Sequence, residues 1–374
     1  MKKDIIVIGG YGHVGGQICK LLAARYPGNV FAAGRSLERA EQFCASTGGK
    51  VRPLQLNLGD PFPAERLERV KLVVMCLDQE NPSFVITCLN SGTHYVDVSA
   101  NGAFLTQLEA LNTTESGLKG SAVISVGLAP GLTNLLAREA KLAMDQTQRI
   151  EISIMLGLGD SHGQAAIEWT VDNLSATYDI TQKGSRIPVN SFTAGRKTDF
   201  GGRLGQRKAF RFPFSDQQTL PGSLDVSSVA TRLCFDSRFS TAALAFMQKL
   251  GLMPLLRGRM MRKLAVKSFG KLRFGSDMFA VKVDAYGQKD GAPALSEWSI
   301  QGSEEARITA MTAAAVALAV YESASLPSGV FHLEQLFGVK LGQDNLTLTT
   351  NHTAGPFMEQ TLPDISGWSR LSKL

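Results

Sequence analysis

Several absences narrow the reading of this chain. It has no Cys-x-x-Cys pair, and its cysteines, Cys19, Cys44, Cys76, Cys88 and Cys234, are odd in number and scattered. That argues against a disulfide frame or a zinc site, and for reduced thiols in a cytoplasm; no metal is called for. All but Cys234 fall in apolar stretches near the start, where a small buried hydrophobe is the ordinary reading. No apolar run is long enough to cross a bilayer, and the longest, Ile308–Tyr321, is broken by threonines. Met1-Lys2-Lys3 runs straight into a strand-like segment, so no secretory signal is expected and a cytoplasmic location is. Aromatic residues are few in the chain's one strongly basic segment, 237–276, and the rest of the chain is mildly acidic, so nucleic-acid binding is not expected.

Acidic residues are missing from one long stretch. Ser237–Ser276 holds Arg238, Lys249, Arg257, Arg259, Arg262, Lys263, Lys267, Lys271 and Arg273 and no Asp or Glu. That is +9 in a chain whose net charge is +6, so the remainder is about −3 and the basic balance is local. Met253, Leu255, Leu256, Met260, Met261, Leu264 and Val266 lie between the charges. Such a basic amphipathic element is a solvated face, a grip on an anionic substrate or cofactor, or a contact with a membrane surface or acidic partner.

What is present organises the first third. Ile5-Ile6-Val7-Ile8 ends on Gly9-Gly10-Tyr11-Gly12-His13-Val14-Gly15, and an amphipathic stretch, Gln17–Tyr26, follows. A buried parallel strand feeding a helix through Gly-x-Gly-x-x-Gly is a dinucleotide-binding βαβ unit. Gly10 is expected to allow the tight turn, Gly12 the approach of the pyrophosphate, and Gly15 close packing of helix on strand. Tyr11, His13 and Val14 complete the loop, and the phosphates meet free N–H groups at the helix start. The next strand ends on Gly34-Arg35-Ser36, where an NAD site would carry a carboxylate for the ribose 2′-hydroxyl. Arg35, Ser36 and Arg39 instead suit a 2′-phosphate, so NADP is expected over NAD.

Further strands are expected at Val51–Leu58, Leu72–Leu77, His94–Val98 and Ala122–Val126, with a helix at Ser83–Ser91 stopped by Gly92. Ligands in such sheets lie outside the carboxyl ends of the strands, which places Asp60, Leu77, Asp78, Asp97, Ser99 and Asn134 on the candidate list. From Arg149 the pattern alternates with period two, and an α+β domain is expected with a helix over Gly163–Tyr178. Ala306–Ser323 reads as a small-residue helix, capped by Ser303, that returns to the first domain, and the polar stretch beyond Gly342 as an arm or a partly disordered tail. The expected organisation is therefore α/β: a Rossmann doubly wound parallel sheet over 1–130, an α+β substrate or dimerisation domain over 131–302, returning helices over 303–340, and a tail over 341–374.

Together, Ile8–Gly15, Gly92-Thr93-His94-Tyr95-Val96-Asp97 and Gly127-Leu128-Ala129-Pro130-Gly131-Leu132-Thr133-Asn134-Leu135-Leu136-Ala137 resemble the saccharopine dehydrogenase-like NAD(P)-dependent oxidoreductases. The returning helix followed by Pro327-Ser328-Gly329-Val330-Phe331 is similar to the family's C-terminal pattern. The resemblance covers about residues 1–140. Saccharopine reductases tend to carry Asp before the Pro-Gly; Ala129 stands there, as in the lysine 6-dehydrogenase branch. The resemblance implies hydride transfer at a C–N bond of an amino acid or an imine derived from one. The protein's share of that chemistry is to orient the bond and manage one proton. Asp97 is a base or ammonium holder, or a structural carboxylate; His162 a proton carrier, or an exposed loop histidine. Glu168 beside Trp169 suits an amino-acid side chain, though such a Trp is commonly core. Asn134 and Arg232 are candidate substrate contacts. A homodimer is expected. A non-catalytic NADP sensor and a membrane- or partner-associated relative stay open.

Overall fold

The β-branched run after Asp4 forms β1 (Asp4–Ile8), buried along its whole length. In this computed structural model, which describes residues 2–60, 63–271, 275–350 and 359–374, the chain divides into two units. The first comprises Met1–Leu132, Ala306–Gly338 and Thr347–Leu362; the second comprises Thr133–Glu305, Val339–Leu346 and Pro363–Leu374.

In the first unit β1 is followed by α1 (His13–Arg25), β2 (Val30–Gly34), α2 (Leu37–Ala45), β3 (Val51–Gln55), β4 (Val70–Met75), α3 (Ser83–Asn90), β5 (His94–Asp97), α4 (Gly102–Thr114) and β6 (Ser121–Ile124). The strands are parallel in the order β3-β2-β1-β4-β5-β6, with Gly329–His332 added beside β6. Strand reversal on either side of β1 is the doubly wound pattern, and it opens a crevice at the carboxyl ends of β1 and β4. Helix starts are marked locally: Ser36 Oγ accepts the Arg39 N–H, and Asn101 Oδ1 accepts those of Ala103 and Phe104. Phe84, Val85, Leu105 and Leu108 from α3 and α4 pack on Ile6, Val73 and Tyr95 to form one face of the core.

The second unit opens with α5 (Thr133–Leu142) and the long β7 (Gln146–Leu156). α6 (Gln164–Asn173), β8 (Thr177–Gln182), β9 (Ser185–Asn190), β10 (Arg196–Asp199), β11 (Gln206–Arg211), α7 (Asp216–Ser223) and β12 (Ser228–Phe235) follow. Then come α8 (Arg238–Lys249), α9 (Arg259–Lys271), β13 (Met278–Lys289) and β14 (Ala292–Ser303). The sheet is mixed, ordered β10-β11-β12-β7-β13-β14, and Ser366–Lys373 pairs along the outer edge of β14. The helix expected to reach Tyr178 stops at Asn173, because Thr177–Gln182 and Ser185–Asn190 form a hairpin. Its two-residue turn, Lys183-Gly184, has positive φ at both positions, which matches the twist of the strands.

Helix α10 (Glu305–Glu322) is clustered with the first unit from Ala306 onward. Its alanines let its backbone lie close to its neighbours, and Ala310, Ala313 and Ala317 are fully buried. Ser303 is the last residue of β14 rather than a cap. After α10 come β15 (Gly329–His332), the short α11 (Leu333–Leu336), β16 (Phe337–Leu341), β17 (Asn345–Thr350), β18 (Gln360–Pro363) and β19 (Ser366–Lys373). The polar tail is thus not a free arm where it is described: β16, β17 and β18 form a small sheet, and Trp368 of β19 lies opposite Ser299. Edge pairing of this kind depends on a distant partner strand and leaves no local periodicity. Arg273 of the basic stretch lies outside the described residues.

Candidate nucleotide site

The carboxyl ends of β1, β2, β4 and β5 bring the glycine loop, Arg35, Asp78 and Asp97 to one edge of the first sheet. The glycines divide the work differently from the sequence expectation. The turn itself is made at Gly9, whose φ is +79°. Gly10 is required by crowding instead: a Cβ there would lie 2.7 Å from the Ala32 Cα and 2.6 Å from the Val7 carbonyl oxygen. A Cβ on Gly15 would lie 2.3 Å from the Gly9 oxygen, so this glycine sets the approach of α1 to the loop. Gly12 is exposed, and a Cβ on it would meet only the Gly9 oxygen, at 3.0 Å.

Gly12 is also the N-cap of α1, and no side chain caps that end or places an acid in its first turn. The first N–H groups, from His13 onward, therefore face outward beside a residue without a side chain, as a phosphate group requires. His13 is exposed and Val14 half-buried. Tyr11 lies over Gly34, so close that a Cβ there would fall 2.4 Å from the phenol oxygen, and that oxygen accepts the Ser36 N–H at 3.1 Å. Arg39 stacks on the Tyr11 ring, 5.2 Å from its centroid. Arg35 is exposed and its guanidinium has no hydrogen bond or ion pair among the described residues. The end of β2 thus presents two arginines, a serine hydroxyl and a phenol, with no carboxylate at the 2′ position. These residues fit a phosphorylated dinucleotide.

Across the crevice, Leu77 borders Gly9 and is 44% exposed. Ser99 donates from its hydroxyl to Asp78 at 3.2 Å and accepts the Asn101 N–H. Asp97 is wholly buried: its carboxylate accepts the Tyr95 hydroxyl and the Ser99 N–H, each at 2.6 Å, while Gln79 donates to the Tyr95 oxygen. Burial outweighs these donors and raises its pKa to about 7. Asp97 thereby holds the β5 loop in place from beneath. Asp60 is exposed, in the loop after β3.

In the second unit, His162 Nε2 lies 3.1 Å from the Gly157 carbonyl and Nδ1 3.6 Å from the Glu305 carboxylate. The hydrogen-bonding carboxylate of Glu305, opposed by burial, raises its pKa above the ordinary value. Glu168 and Trp169 are neighbours on α6 with separate partners. Glu168 takes a hydrogen bond from Gln164 and lies 3.5 Å from Arg262, while Trp169 packs on Phe212 and Phe214. Asn134 is buried in α5 beside the Thr133 hydroxyl. Arg232 is buried, its guanidinium held by Glu151 and the Ala194 carbonyl.

The sequence reading missed two clusters. Ser125, at the end of β6 with φ +60°, lies 2.8 Å from His332 Nδ1, and Glu109 meets the other ring nitrogen. This buried link ties β15 and α4 to β6. In the second unit, Glu151, Asp284 and Glu297 stand directly opposite one another across β7, β13 and β14. Lys282, Arg149, Arg196, Arg232 and Arg370 compensate them; Lys282 reaches Asp284 at 2.7 Å and Glu297 at 2.6 Å. Alternating charge along the strands was the available signal, but the pairing lay in strands far apart in sequence.

Residues 5–125 match the family model described as the saccharopine dehydrogenase NADP binding domain. The apo saccharopine dehydrogenase (L-Glu forming) of Saccharomyces cerevisiae has a similar structure, with a TM-score of 0.64 at 14% identity, over 89% of this chain and 94% of that one. The DAP dehydrogenase of C. glutamicum is also found, with a TM-score of 0.45 at 14% identity, over 90% and 94%. No curated protein matches in sequence. Among the described residues there is no cluster able to hold a metal ion and no helix long and apolar enough to span a membrane. Residues 5–125 thus match the saccharopine dehydrogenase NADP binding domain, and the chain shares the fold of that yeast enzyme along most of its length.

Proposed function

We propose that the protein is an NADP-dependent oxidoreductase acting at the C–N bond of an amino acid or of an imine derived from one. The match of residues 5–125 to the saccharopine dehydrogenase NADP-binding domain carries this reading. NADP, when bound, supplies or accepts the hydride. The backbone of α1's first turn holds the pyrophosphate beside Gly12, and Arg35, Ser36 and Arg39 hold the 2′-phosphate. Asp97 positions the β5 loop, through the Ser99 N–H, rather than reacting itself. In the second unit His162, partly exposed and held by Glu305 and the Gly157 carbonyl, is the candidate proton carrier. Ala129 in place of an acid before Pro130-Gly131 favours an activity of the lysine 6-dehydrogenase type over saccharopine formation.

The test is the nicotinamide absorbance of purified protein with NADP or NADPH and a panel of basic amino acids, saccharopine and amine-plus-oxo-acid pairs. Turnover with one member is expected. Silence across the panel, with NADPH tightly bound, would contradict the enzyme reading and favour a cofactor sensor.

A further inference from the structure

The second unit contains a cavity of about 890 Å³ beside α8 and the strands β11 and β12, within the range of small-molecule sites. Helix α8 is tied to β12 near its start. Ser237 caps it, and Thr241, the one buried residue of the helix, accepts the Phe235 N–H at 2.9 Å. Beyond that point Ala242 and Ala245 border the cavity, with Phe246 beside them. Phe192, Phe210, Phe235, Ala245 and Phe246 line it. Phe192 and Phe210 stack with centroids 5.9 Å apart, whereas Phe246 is 60% exposed although it forms part of the wall. Apolar surface left open in this way marks a binding region.

The charge around this gap has one sign. Lys197, Arg207, Lys208, Arg238 and Lys249 line it, and no Asp or Glu does. Arg207 and Arg238 are turned to backbone carbonyls, and Lys208 lies over the Phe210 ring. The Lys197 and Lys249 side chains have no hydrogen bond or ion pair among the described residues. Cations beside low-dielectric walls concentrate an anion. Aromatic volume and unpaired ammonium groups together select a molecule with a long apolar chain and an anionic end.

We propose that this cavity binds a long-chain acyl anion, with the chain along the phenylalanine wall and the anionic head met by the lysines. The proposal concerns the second unit alone and goes beyond the oxidoreductase reading; binding is read without turnover, so either can fail without the other.

The experiment is calorimetric titration of the full-length protein with dodecanoate below its micellar concentration. Octanoate, dodecanol, dodecyltrimethylammonium and a dodecanoyl lysophosphatidate serve as comparisons. Saturable one-to-one binding is expected, tightening with chain length by up to about fourfold per methylene, and at least about tenfold weaker for the cationic and neutral heads. Tighter binding of the lysophosphatidate than of dodecanoate would support the proposal with a phosphate as the preferred head, and the reverse order would support it with a carboxylate. Ala245→Trp fills the gap and should abolish binding. Lys197→Glu with Lys249→Glu should weaken it at least about tenfold; this pair decides the matter if the first variant does not fold. NADPH binding, a property of the other unit, should persist in both. Absent saturation, equal affinity for the cationic head, or full affinity in both variants overturns the proposal. So does sedimentation with anionic vesicles in the absence of binding to any monomeric amphiphile, which would make the basic stretch a membrane contact instead.

Discussion

The two units use polarity in opposite ways. In the first, β1 and β4 are almost wholly apolar, and polar groups gather at the strand ends: Asp97, Ser99 and Gln79 on one side, the bare N–H groups of α1 on the other. In the second, the middle of the sheet carries a buried row of three carboxylates, and among the described residues Arg149, Arg196, Arg232, Lys282 and Arg370 pair with it. Parallel strands covered by helices on both faces leave no place for charge except at their ends. A mixed sheet can bury ions only if every one is paired, since like charges directly opposite are unfavourable. One unit gathers its polar groups at the sheet edge, while the other spends the charges at the middle of its sheet on one another, Arg232 among them.

The largest effect that would break this contrast is in the second unit. Lys282→Met leaves Asp284 and Glu297 facing each other without their shared ammonium. We expect a loss of about 3–5 kcal/mol in urea unfolding. A change below ~1 kcal/mol would mean that the row behaves like a surface network. Lys282 is held charged despite burial, because its two carboxylates outweigh the desolvation.

In the first unit the glycines separate fold from function. Gly15→Ala forces a backbone contact to open and should cost about 1–3 kcal/mol. Gly12→Val should cost less than that, its Cβ meeting only the Gly9 oxygen at 3.0 Å, and on the proposed reading should abolish NADPH binding by filling the phosphate path. Unchanged affinity in Gly12→Val would place the pyrophosphate elsewhere.

The smallest effect is a pH dependence. Between the ordinary carboxylate range, about 4, and about 7, folded Asp97 keeps a proton that the unfolded chain releases. Its contribution to stability is therefore complete below that window and lost as pH rises through it. His162 and His332, whose folded pKa values are raised by Glu305 and Glu109, also lose stabilisation as pH rises. Between pH 5 and pH 8, Asp97→Asn should remove a few degrees of the wild-type fall in Tm and leave the histidine share. Parallel curves for the two proteins would show that Asp97 does not titrate there.

Legibility follows the same division. The glycine loop, the missing acid after β2 and the Ser36 and Asn101 caps are local, so a few consecutive residues identify them. Even there, the reason for Gly10 was hidden, because Ala32 lies in the next strand. The lid of Tyr11 over Gly34, the Ser125–His332–Glu109 link and the carboxylate row all join residues from distant elements. Lys183-Gly184 was a readable turn signal, but the helical pattern before it masked the hairpin. The basic stretch was visible as composition; which of its cations are spent became visible only in space, where Arg257 binds the Ser175 segment and Arg262 binds α6 and Lys249 has no partner among the described residues.

The most direct test of the central claim, that the edge of the first sheet holds NADP through Arg35, is paired fluorescence titration with NADPH and NADH. The wild-type protein should bind NADPH at least about tenfold more tightly, ~1.4 kcal/mol, and Arg35→Asp should abolish that preference while sparing NADH. Equal affinity for both cofactors in the wild type, or equal weakening of both in the variant, would contradict it.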